Sequence, residues 1–268
     1  QLLKQIQNCF RHRLGPGLGP PSSPEASKKH EPISGLVVPH AGYEYSGPVA
    51  AHAYSRLARS GNHKTFVILG PNHTGRGTGV STMTDGKWRT PLGDVEIDTE
   101  LAQMIVGASG LIDVEEEAHR FEHSIEVQLP FLQYLYEDKF RFVPICMMLQ
   151  DLETSRNLGK AIIDSVKQSG RDTVIIASSD WTHYEPQKLA KTKDMRAIEA
   201  VLRMDEAEFQ TRIELDNVSA CGYGPVTAAT FGVKRLGTER ADLLSYWTSG
   251  DVTGDADAVV GYAAIAFY

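Results

Sequence analysis

Four side chains that can bind metal or move protons each follow closely on a short apolar run of the sequence. They are His40, His73, Asp180 and His183. Imidazole is the commonest metal ligand in proteins, and near neutral pH it also exchanges protons. Two histidines with one anionic ligand leave open positions on a divalent metal, as a catalytic site requires. The sequence therefore predicts a metal-capable pocket that contains these residues.

The sequence leaves the anionic third ligand open among three side chains. Asp180 or Glu126 would supply a carboxylate, and Cys221 would supply a thiolate. Cys221 lies in a glycine-rich turn before a predicted helix at 226–234, where helix amides favour the thiolate form. An inert, buried thiol is an equally good interpretation of Cys221. For Cys146, within an apolar run, the inert interpretation is the one we expect.

A second polar group stands at the start of a predicted helix over residues 123–137. His123 and Glu126 are three residues apart and would share one helix face. They either line the pocket or belong to a helix cap, with Glu122 near the positive end of the helix dipole. A glycine-rich segment at 70–76 has the spacing of a phosphate-binding loop. It lacks the following lysine and hydroxyl, so we expect no nucleotide cofactor.

The apolar runs before the polar residues indicate strands buried on both faces, because their β-branched side chains do not alternate with polar ones. In open α/β sheets, ligands bind beyond the carboxyl ends of such strands. Helical patterns separate the runs, so we predict an α/β fold. Its mostly parallel or mixed central sheet has helices on both faces, in one domain over 1–268. The predicted strands are residues 33–39, 65–70, 141–147, 173–178, 241–248 and 258–268, and the helices are 48–60, 98–107, 123–137, 152–168 and 187–204.

Three smaller features complete the predicted architecture. The last two strands, close together in the chain, are expected to pair antiparallel. Residues 80–97 predict a hairpin near the pocket. Residues 15–32 are rich in glycine, proline and serine and predict a surface loop.

Composition excludes several classes of protein. The 268 residues carry a formal net charge of −7 without basic runs, which argues against nucleic acid and anionic membrane as partners. No apolar run reaches the roughly 18 residues that span a bilayer. The three cysteines are widely spaced, which favours a reducing compartment, so we expect a cytoplasmic protein. The chain opens at Gln1 without a methionine, and we expect its N-terminus to be incomplete.

Short motifs in a fixed order along nearly the whole chain resemble the MEMO family. They are Pro39-His40-Ala41-Gly42-Tyr43, Gly70-Pro71-Asn72-His73, Arg89-Thr90-Pro91-Leu92, Glu122-His123-Ser124-Ile125-Glu126, Ser179-Asp180-Trp181-Thr182-His183, Cys221-Gly222 and Val260-Gly261-Tyr262. The resemblance implies a fold related to class III extradiol dioxygenases. It also implies metal ligands at His40, His73 and Cys221, where the cysteine replaces a carboxylate of the dioxygenases. His183 corresponds to their acid–base histidine.

Two functions remain open. The first is a redox metalloprotein or oxidoreductase that holds iron or copper, with zinc also compatible, and in which Asp180 aids His183 in moving protons. The alternative is a non-catalytic binding module for a peptide or small anion. Its pocket would be lined by Tyr43, Trp181, Asn72, His123 and Glu126. Neither function predicts an oligomeric state for the protein.

Overall fold

A computed structural model of the protein describes residues 1–17 and 32–268. Among these residues, eleven strands form one mixed sheet. The strands are β1 (Gly35–Val38), β2 (Thr65–Pro71), β3 (Val80–Thr82), β4 (Lys87–Thr90), β5 (Gly93–Ile97), β6 (Asp113–Val114), β7 (Arg141–Met147), β8 (Thr173–Ser178), β9 (His183–Glu185), β10 (Ala241–Thr248) and β11 (Val259–Phe267). The helices are α1 (Leu2–Arg11), α2 (Gly47–Ser60), α3 (Thr99–Ser109), α4 (Leu129–Tyr136), α5 (Leu152–Ser169), α6 (Gln187–Leu202), α7 (Glu206–Leu215), α8 (Tyr223–Leu236) and α9 (Ser249–Thr253).

Four parallel strands form the centre of the sheet, in the order β1, β8, β2, β7. Antiparallel strands extend the sheet on both sides, with β11 and β10 beyond β1 and β3 beyond β7. The predicted α/β class is confirmed, and the sheet is mixed. The antiparallel pair expected late in the chain is β10 with β11, and the predicted hairpin is β4 with β5.

The central strands are buried along nearly their whole length, as their uninterrupted apolar sequences predict. Two groups of helices cover the sheet. Helix α2 packs with α1 and α4 in one group, and α8 packs with α5, which contacts α3, in the other. The sheet and its two helix layers therefore hold the ends of the central strands rigidly in register.

Helix α4 begins at Leu129, six residues later than the sequence predicted. The carboxylate of Glu122 accepts the amides of His123 and Ser124, which holds this segment in a turn. A 3₁₀ turn at Glu126–Gln128 follows before the helix starts. The prediction that His123 and Glu126 share a helix face is therefore wrong, because competing side-chain hydrogen bonds delay the helix.

The elements that the sequence-based prediction missed include α7, α9, β6 and β9. Helix α7 is strongly charged and has little apolar periodicity; its N-cap is Asp205, whose side chain accepts the Glu208 amide. Strand β9 places His183 in a short strand paired with β11 instead of in a loop. The predicted surface loop at 15–32 lies mostly outside the described residues. Within residues 1–17 and 32–268, no helix combines the length and apolarity needed to cross a bilayer.

Candidate metal centre

The carboxyl ends of three adjacent parallel strands bring polar side chains to one edge of the sheet. His40 follows β1, Ser178 ends β8, and His73 follows β2. Strand β8 pairs with both β1 and β2, so Ser178 ends the strand that lies between those leading to the two histidines. The ring centroids of His40 and His73 are 5.2 Å apart. The order of the strands thus brings the two imidazoles together.

Hydrogen bonds around Ser178 determine which nitrogen of His40 carries the proton. The Ser178 hydroxyl donates its single proton to the Ser124 carbonyl at 2.7 Å and accepts from Gln128 Nε2 at 2.9 Å. It must therefore accept the 2.8 Å hydrogen bond from His40 Nδ1. His40 Nε2 is left with a bare lone pair. Burial, reinforced by the neighbouring His73 and His123, lowers the pKa of His40 well below its usual value and keeps the ring neutral.

Glu122 fixes His73 in the same way. Its buried carboxylate accepts His73 Nδ1 at 2.9 Å, the His73 amide at 2.6 Å, and the amides of His123 and Ser124 at 2.8 Å each. Burial would raise the pKa of Glu122, but these hydrogen bonds lower it to about 2. A carboxylate only accepts, so His73 Nδ1 carries a proton, and in the neutral tautomer that binds metal the bare nitrogen is Nε2. Metal-binding histidines are typically oriented by such a carboxylate.

Cys221 completes the group from the loop before α8. Its Sγ lies 3.1 Å from His40 Nε2 and accepts the Asp180 amide at 3.3 Å. Since Nε2 is bare, the thiol donates its proton to it. Gly222, the next residue, packs against the Ser178 carbonyl so closely that a Cβ would collide with it. Glycine at this position therefore lets the cysteine reach His40.

The thiol form of Cys221 corrects the expectation of a helix-stabilised thiolate. Burial raises the pKa of Cys221, and the charge of Asp180 raises it further. Helix α8 starts at Tyr223 with Gly222 as its N-cap, so the cysteine lies before the first helical turn. Desolvation therefore outweighs the helix amides in the metal-free chain.

The donor set fits a transition-metal ion. The ligand atoms of His40, His73 and Cys221 all lie within 4.8 Å of one another. Bonds of about 2.0–2.3 Å from one ion to nitrogen and sulfur would need only a modest contraction of this triangle. Both imidazoles present a bare nitrogen, and the thiol can release its proton on binding. The structure thus brings together the three residues that the family resemblance implied as ligands.

The two carboxylates considered as third ligands have other positions. Asp180 is buried, and its side chain accepts the His40 amide at 2.9 Å. Glu126 is exposed on the 3₁₀ turn and belongs to neither of the ligand groups found among the described residues. The second of those groups is His73, Glu122 and His123. It requires Glu122, whose oxygens are already occupied by four hydrogen bonds.

His183 lies close enough to the ligand group for its charge to influence the pKa of His40 and of Asp180. Its amide donates to Ser219 Oγ at 2.7 Å, and its Nδ1 donates to the Ser219 carbonyl at 2.8 Å. The half-buried ring therefore keeps its Nε2 without a hydrogen-bond partner among the described residues. The residue that orients His183 is Ser219 and not Asp180, which was expected to aid it.

Trp181 does not reach the pocket surface, contrary to its predicted role as an aromatic wall. Its side chain is fully buried and packs edge-on against Phe209 at 6.0 Å between ring centroids. Its amide donates to the Gly261 carbonyl, which ties this part of the chain to β11. Burying the large indole in the core is more favourable than exposing it at the site.

Tyr43 and Asn72 were predicted to line the pocket, but their side chains make contacts that hold the protein's own structure. The Tyr43 hydroxyl donates to the Val127 carbonyl at 3.0 Å, and its ring packs edge-on against Phe131. The Asn72 side chain accepts the amides of Thr74 and Gly75 at 3.0 Å each. Asn72 therefore shapes the loop that presents His73, a positioning role for which asparagine is well suited.

A cleft of 400 Å³ adjoins the ligand group, and we call it the Trp88–His119 cleft. His123 and Glu126, both predicted to line a pocket, border it, together with Trp88 of β4, His119 and Glu122. His119 could not be singled out from the sequence, because it follows no predicted strand and stands in a charged segment. Its surroundings, described below, become visible only in the folded chain.

Comparison with known proteins decides the family. A family profile described as Memo-like protein matches residues 1–266. The chain belongs to the Memo-like family. A MEMO1 family protein of Methanopyrus kandleri is 54% identical over 267 residues, covering 100% of this chain and 93% of its own. A MEMO1 family protein of Sulfurisphaera tokodaii is 46% identical over 268 residues, with the same two coverages. The motif resemblance is thus confirmed.

One solved structure supports the Memo-like chain's fold. It is the crystal structure of an uncharacterized protein from Escherichia coli K12, with a TM-score of 0.53 and 13% sequence identity. The match covers 87% of this chain and 99% of the other. At this level of identity the similarity concerns the arrangement of helices and strands, and chemistry has to be argued from the Memo-like chain's own residues.

Proposed function

We propose that this Memo-like protein binds iron or copper through His40, His73 and Cys221 and performs an oxidation–reduction reaction there. One observation carries the proposal. Each imidazole has its Nδ1 proton held by a dedicated partner, Ser178 for His40 and Glu122 for His73, so that both Nε2 atoms are bare beside a thiol. Such partners are characteristic of metal-binding histidines.

The bound metal would supply electron transfer and an open coordination position for a substrate. Thiolate favours copper(I) or zinc, while three ligands with open positions also suit iron(II), and zinc would leave the centre without redox chemistry. The chain's own residues hold the ligands and move the proton. Cys221 releases its proton on metal binding, and His183 Nε2 accepts or returns a proton at the rim of the site. A reduced thiol requires a reducing compartment, so we propose the cytoplasm as its location.

Metal analysis tests the ligand set. Protein purified without chelators is expected to contain iron or copper, and His40→Ala, His73→Ala and Cys221→Ala are each expected to lose it. His52→Ala is the matched control, because His52 lies on α2 and its Nε2 bonds the Leu14 carbonyl. Unchanged metal content in any one of the three ligand variants would remove that residue from the site.

A separate variant isolates the proton-transfer role. His183→Ala is expected to keep its metal, because the ring belongs to no ligand group among the described residues. Its turnover should fall by about 100-fold or more, in line with loss of a general acid–base group. Loss of metal from His183→Ala would contradict the separation of roles.

One observation favours the second candidate, a binding module for a peptide or small anion. Without metal, the Cys221 thiol and His40 Nε2 satisfy each other at 3.1 Å, so these two groups do not need a metal ion as a partner. A phosphopeptide that binds metal-free protein as tightly as metal-loaded protein would support this function. Binding that depends on the metal would support the redox proposal.

A further inference from the structure

His119 is a buried imidazole without a hydrogen-bond partner. The residue is 7% exposed, and among the described residues neither ring nitrogen has a partner. Buried polar atoms in native proteins are nearly always paired, so such an atom demands an explanation. His119 lines the Trp88–His119 cleft, in which a ligand could supply the missing partner.

The nature of that partner follows from the state of the ring. Burial lowers the pKa of His119 to about 4, so the ring is neutral and has one donor and one acceptor nitrogen. The Ser81 backbone acts on the ring as a weak hydrogen-bond acceptor, although the contact does not reach full hydrogen-bond geometry. A ring proton directed at Ser81 leaves the other nitrogen as a bare acceptor. That nitrogen requires a ligand which donates.

Of the carboxylates and guanidinium groups that line the cleft, all but the exposed Glu126 have a partner within the described residues. Arg89 pairs with Asp94 at 2.8 Å, and Arg120 pairs with Glu116 at 3.0 Å. Glu122, as shown above, is fully occupied by His73 and backbone amides. Neither guanidinium is left to attract an anion, and the one cleft carboxylate that lacks a partner in the described part of the chain, Glu126, is exposed to water and salt that screen its charge. The cleft therefore favours an uncharged ligand.

The apolar surface of the cleft comes from Trp88, Met83 and Phe121. The Trp88 ring lies edge-on to His119 at 5.4 Å between centroids, and its Nε1 donates to Met83 Sδ at 3.3 Å. Its polar atom is thus occupied, and it offers only an apolar face. A flat side chain of this kind prefers a flat partner.

We propose that the Trp88–His119 cleft binds an uncharged, flat organic group that donates a hydrogen bond to His119 and packs against Trp88. Glu122 and His123 belong to both the cleft and the surroundings of the metal ligands. A ligand held here therefore lies next to the candidate metal centre. The inference does not depend on the metal, and it is tested in metal-free protein so that its failure and that of the proposed redox function are distinguishable.

Two probes of nearly the same shape test the hydrogen bond. Indole donates through its N–H, whereas benzofuran has an oxygen at that position and cannot donate. Titration of metal-free, ¹⁵N-labelled protein should shift the His119 and Trp88 side-chain signals, with indole bound about 5-fold more tightly than benzofuran. Equal affinity for the two probes overturns the proposal, as does the absence of shifts at both side chains.

Variants and charged probes sharpen the result. His119→Phe keeps a flat ring without nitrogen and should remove the preference for indole. Arg89→Gln, also in the cleft but 79% exposed, should retain it. If His119→Phe does not fold, the comparison of indole with benzofuran in the wild-type protein still tests the hydrogen bond to His119. Tighter binding of benzoate or benzylammonium than of indole would overturn the uncharged class of ligand.

Discussion

The two ends of the central parallel strands contrast in the way they use polar residues. At the amino ends of β2, β7 and β8 lies a cavity of 810 Å³, lined by charged side chains. At the carboxyl ends lie the three candidate ligands and a cleft of 400 Å³. The larger cavity is not the better candidate site.

The reason is the state of the polar groups. At the amino end, charged groups neutralise one another, as in Arg141 with Glu96 at 3.1 Å and Lys87 with Asp94 at 2.6 Å. Exposed pairs of this kind contribute little and direct no lone pair at a ligand. At the carboxyl end, the imidazoles of His40 and His73 are oriented through Nδ1 by Ser178 and Glu122, which directs each Nε2 toward the candidate metal centre. A functional site is therefore indicated by hydrogen-bond donors and acceptors that lack a partner, and not by the volume of a cavity.

The largest effect is expected from Glu122→Ala. The change leaves the His73 ring and three backbone amides without their acceptor, so metal affinity should fall by up to about 100-fold. The free energy of unfolding of the metal-free protein should fall by about 3 kcal/mol, because buried donors lose their partner. Metal titration and urea unfolding measure the two effects.

The matched control for Glu122 is Glu96→Gln at the amino end. Glu96 is 66% exposed in its pair with Arg141, so neither metal affinity nor stability should change measurably. Equal effects of the two substitutions would remove the distinction between the two ends.

The two ends should also differ in their response to pH. At the amino end, His63 lowers the pKa of Asp172, whereas at the carboxyl end burial raises the pKa of Asp194 to about 6. The folded state then binds the Asp194 proton more tightly than the unfolded state, whose pKa is 3.8. This stabilisation is complete below about pH 4 and is lost as pH rises through about 6.

Asp194→Asn tests that pH dependence. Asparagine can keep bonds to Thr182 and Tyr246, which the aspartate accepts at 2.6 and 2.7 Å through its two oxygens. The free energy of unfolding of the wild type should decline relative to the variant by about 2 kcal/mol between pH 4.5 and 7.5, on the scale set by the pKa shift. Parallel profiles for the two proteins in urea unfolding would contradict the raised pKa.

A smaller effect is expected from Ser178→Ala, which removes the acceptor for His40 Nδ1. Metal affinity should fall by about 10-fold, as for other groups that orient a ligand. Ser165→Ala is the control, because Ser165 is equally buried but its hydroxyl has no partner among the described residues. Competition with a coloured chelator measures the metal affinity of both variants. If Ser165→Ala loses as much metal affinity as Ser178→Ala, the loss does not come from the hydrogen bond to His40 Nδ1.

The ends of the strands were predictable because buried parallel strands carry continuous apolar sequence. His40 and His73 follow such strands, and the order of the strands in the sheet brings the two side chains close together. The family resemblance had already implied that both residues bind one metal ion. Helix α4 was misplaced because the turn before it depends on the Glu122 carboxylate, a contact that no periodicity reveals.

The remaining site residues could not be predicted because their roles depend on partners distant in the sequence. Ser178 acts through Gln128 and Ser124, and together these bonds determine the tautomer of His40. Trp181 was misassigned because an aromatic residue beside a polar motif is equally compatible with a pocket wall and with the core. Local sequence thus identified His40 and His73 as candidate ligands and the family resemblance added Cys221, but neither identified the residues that orient them.

The most direct test of the metal centre uses cobalt(II) as a spectroscopic probe. Titration of the metal-free protein with cobalt should produce a sulfur-to-cobalt charge-transfer absorption band that saturates at one ion per chain, because Cys221 loses its proton and binds through Sγ. Cys221→Ser should lack the band, whereas Cys146→Ser, which changes a buried thiol outside the ligand group, should retain it. A band of equal intensity in Cys221→Ser, or no cobalt uptake by the wild type, would contradict the account.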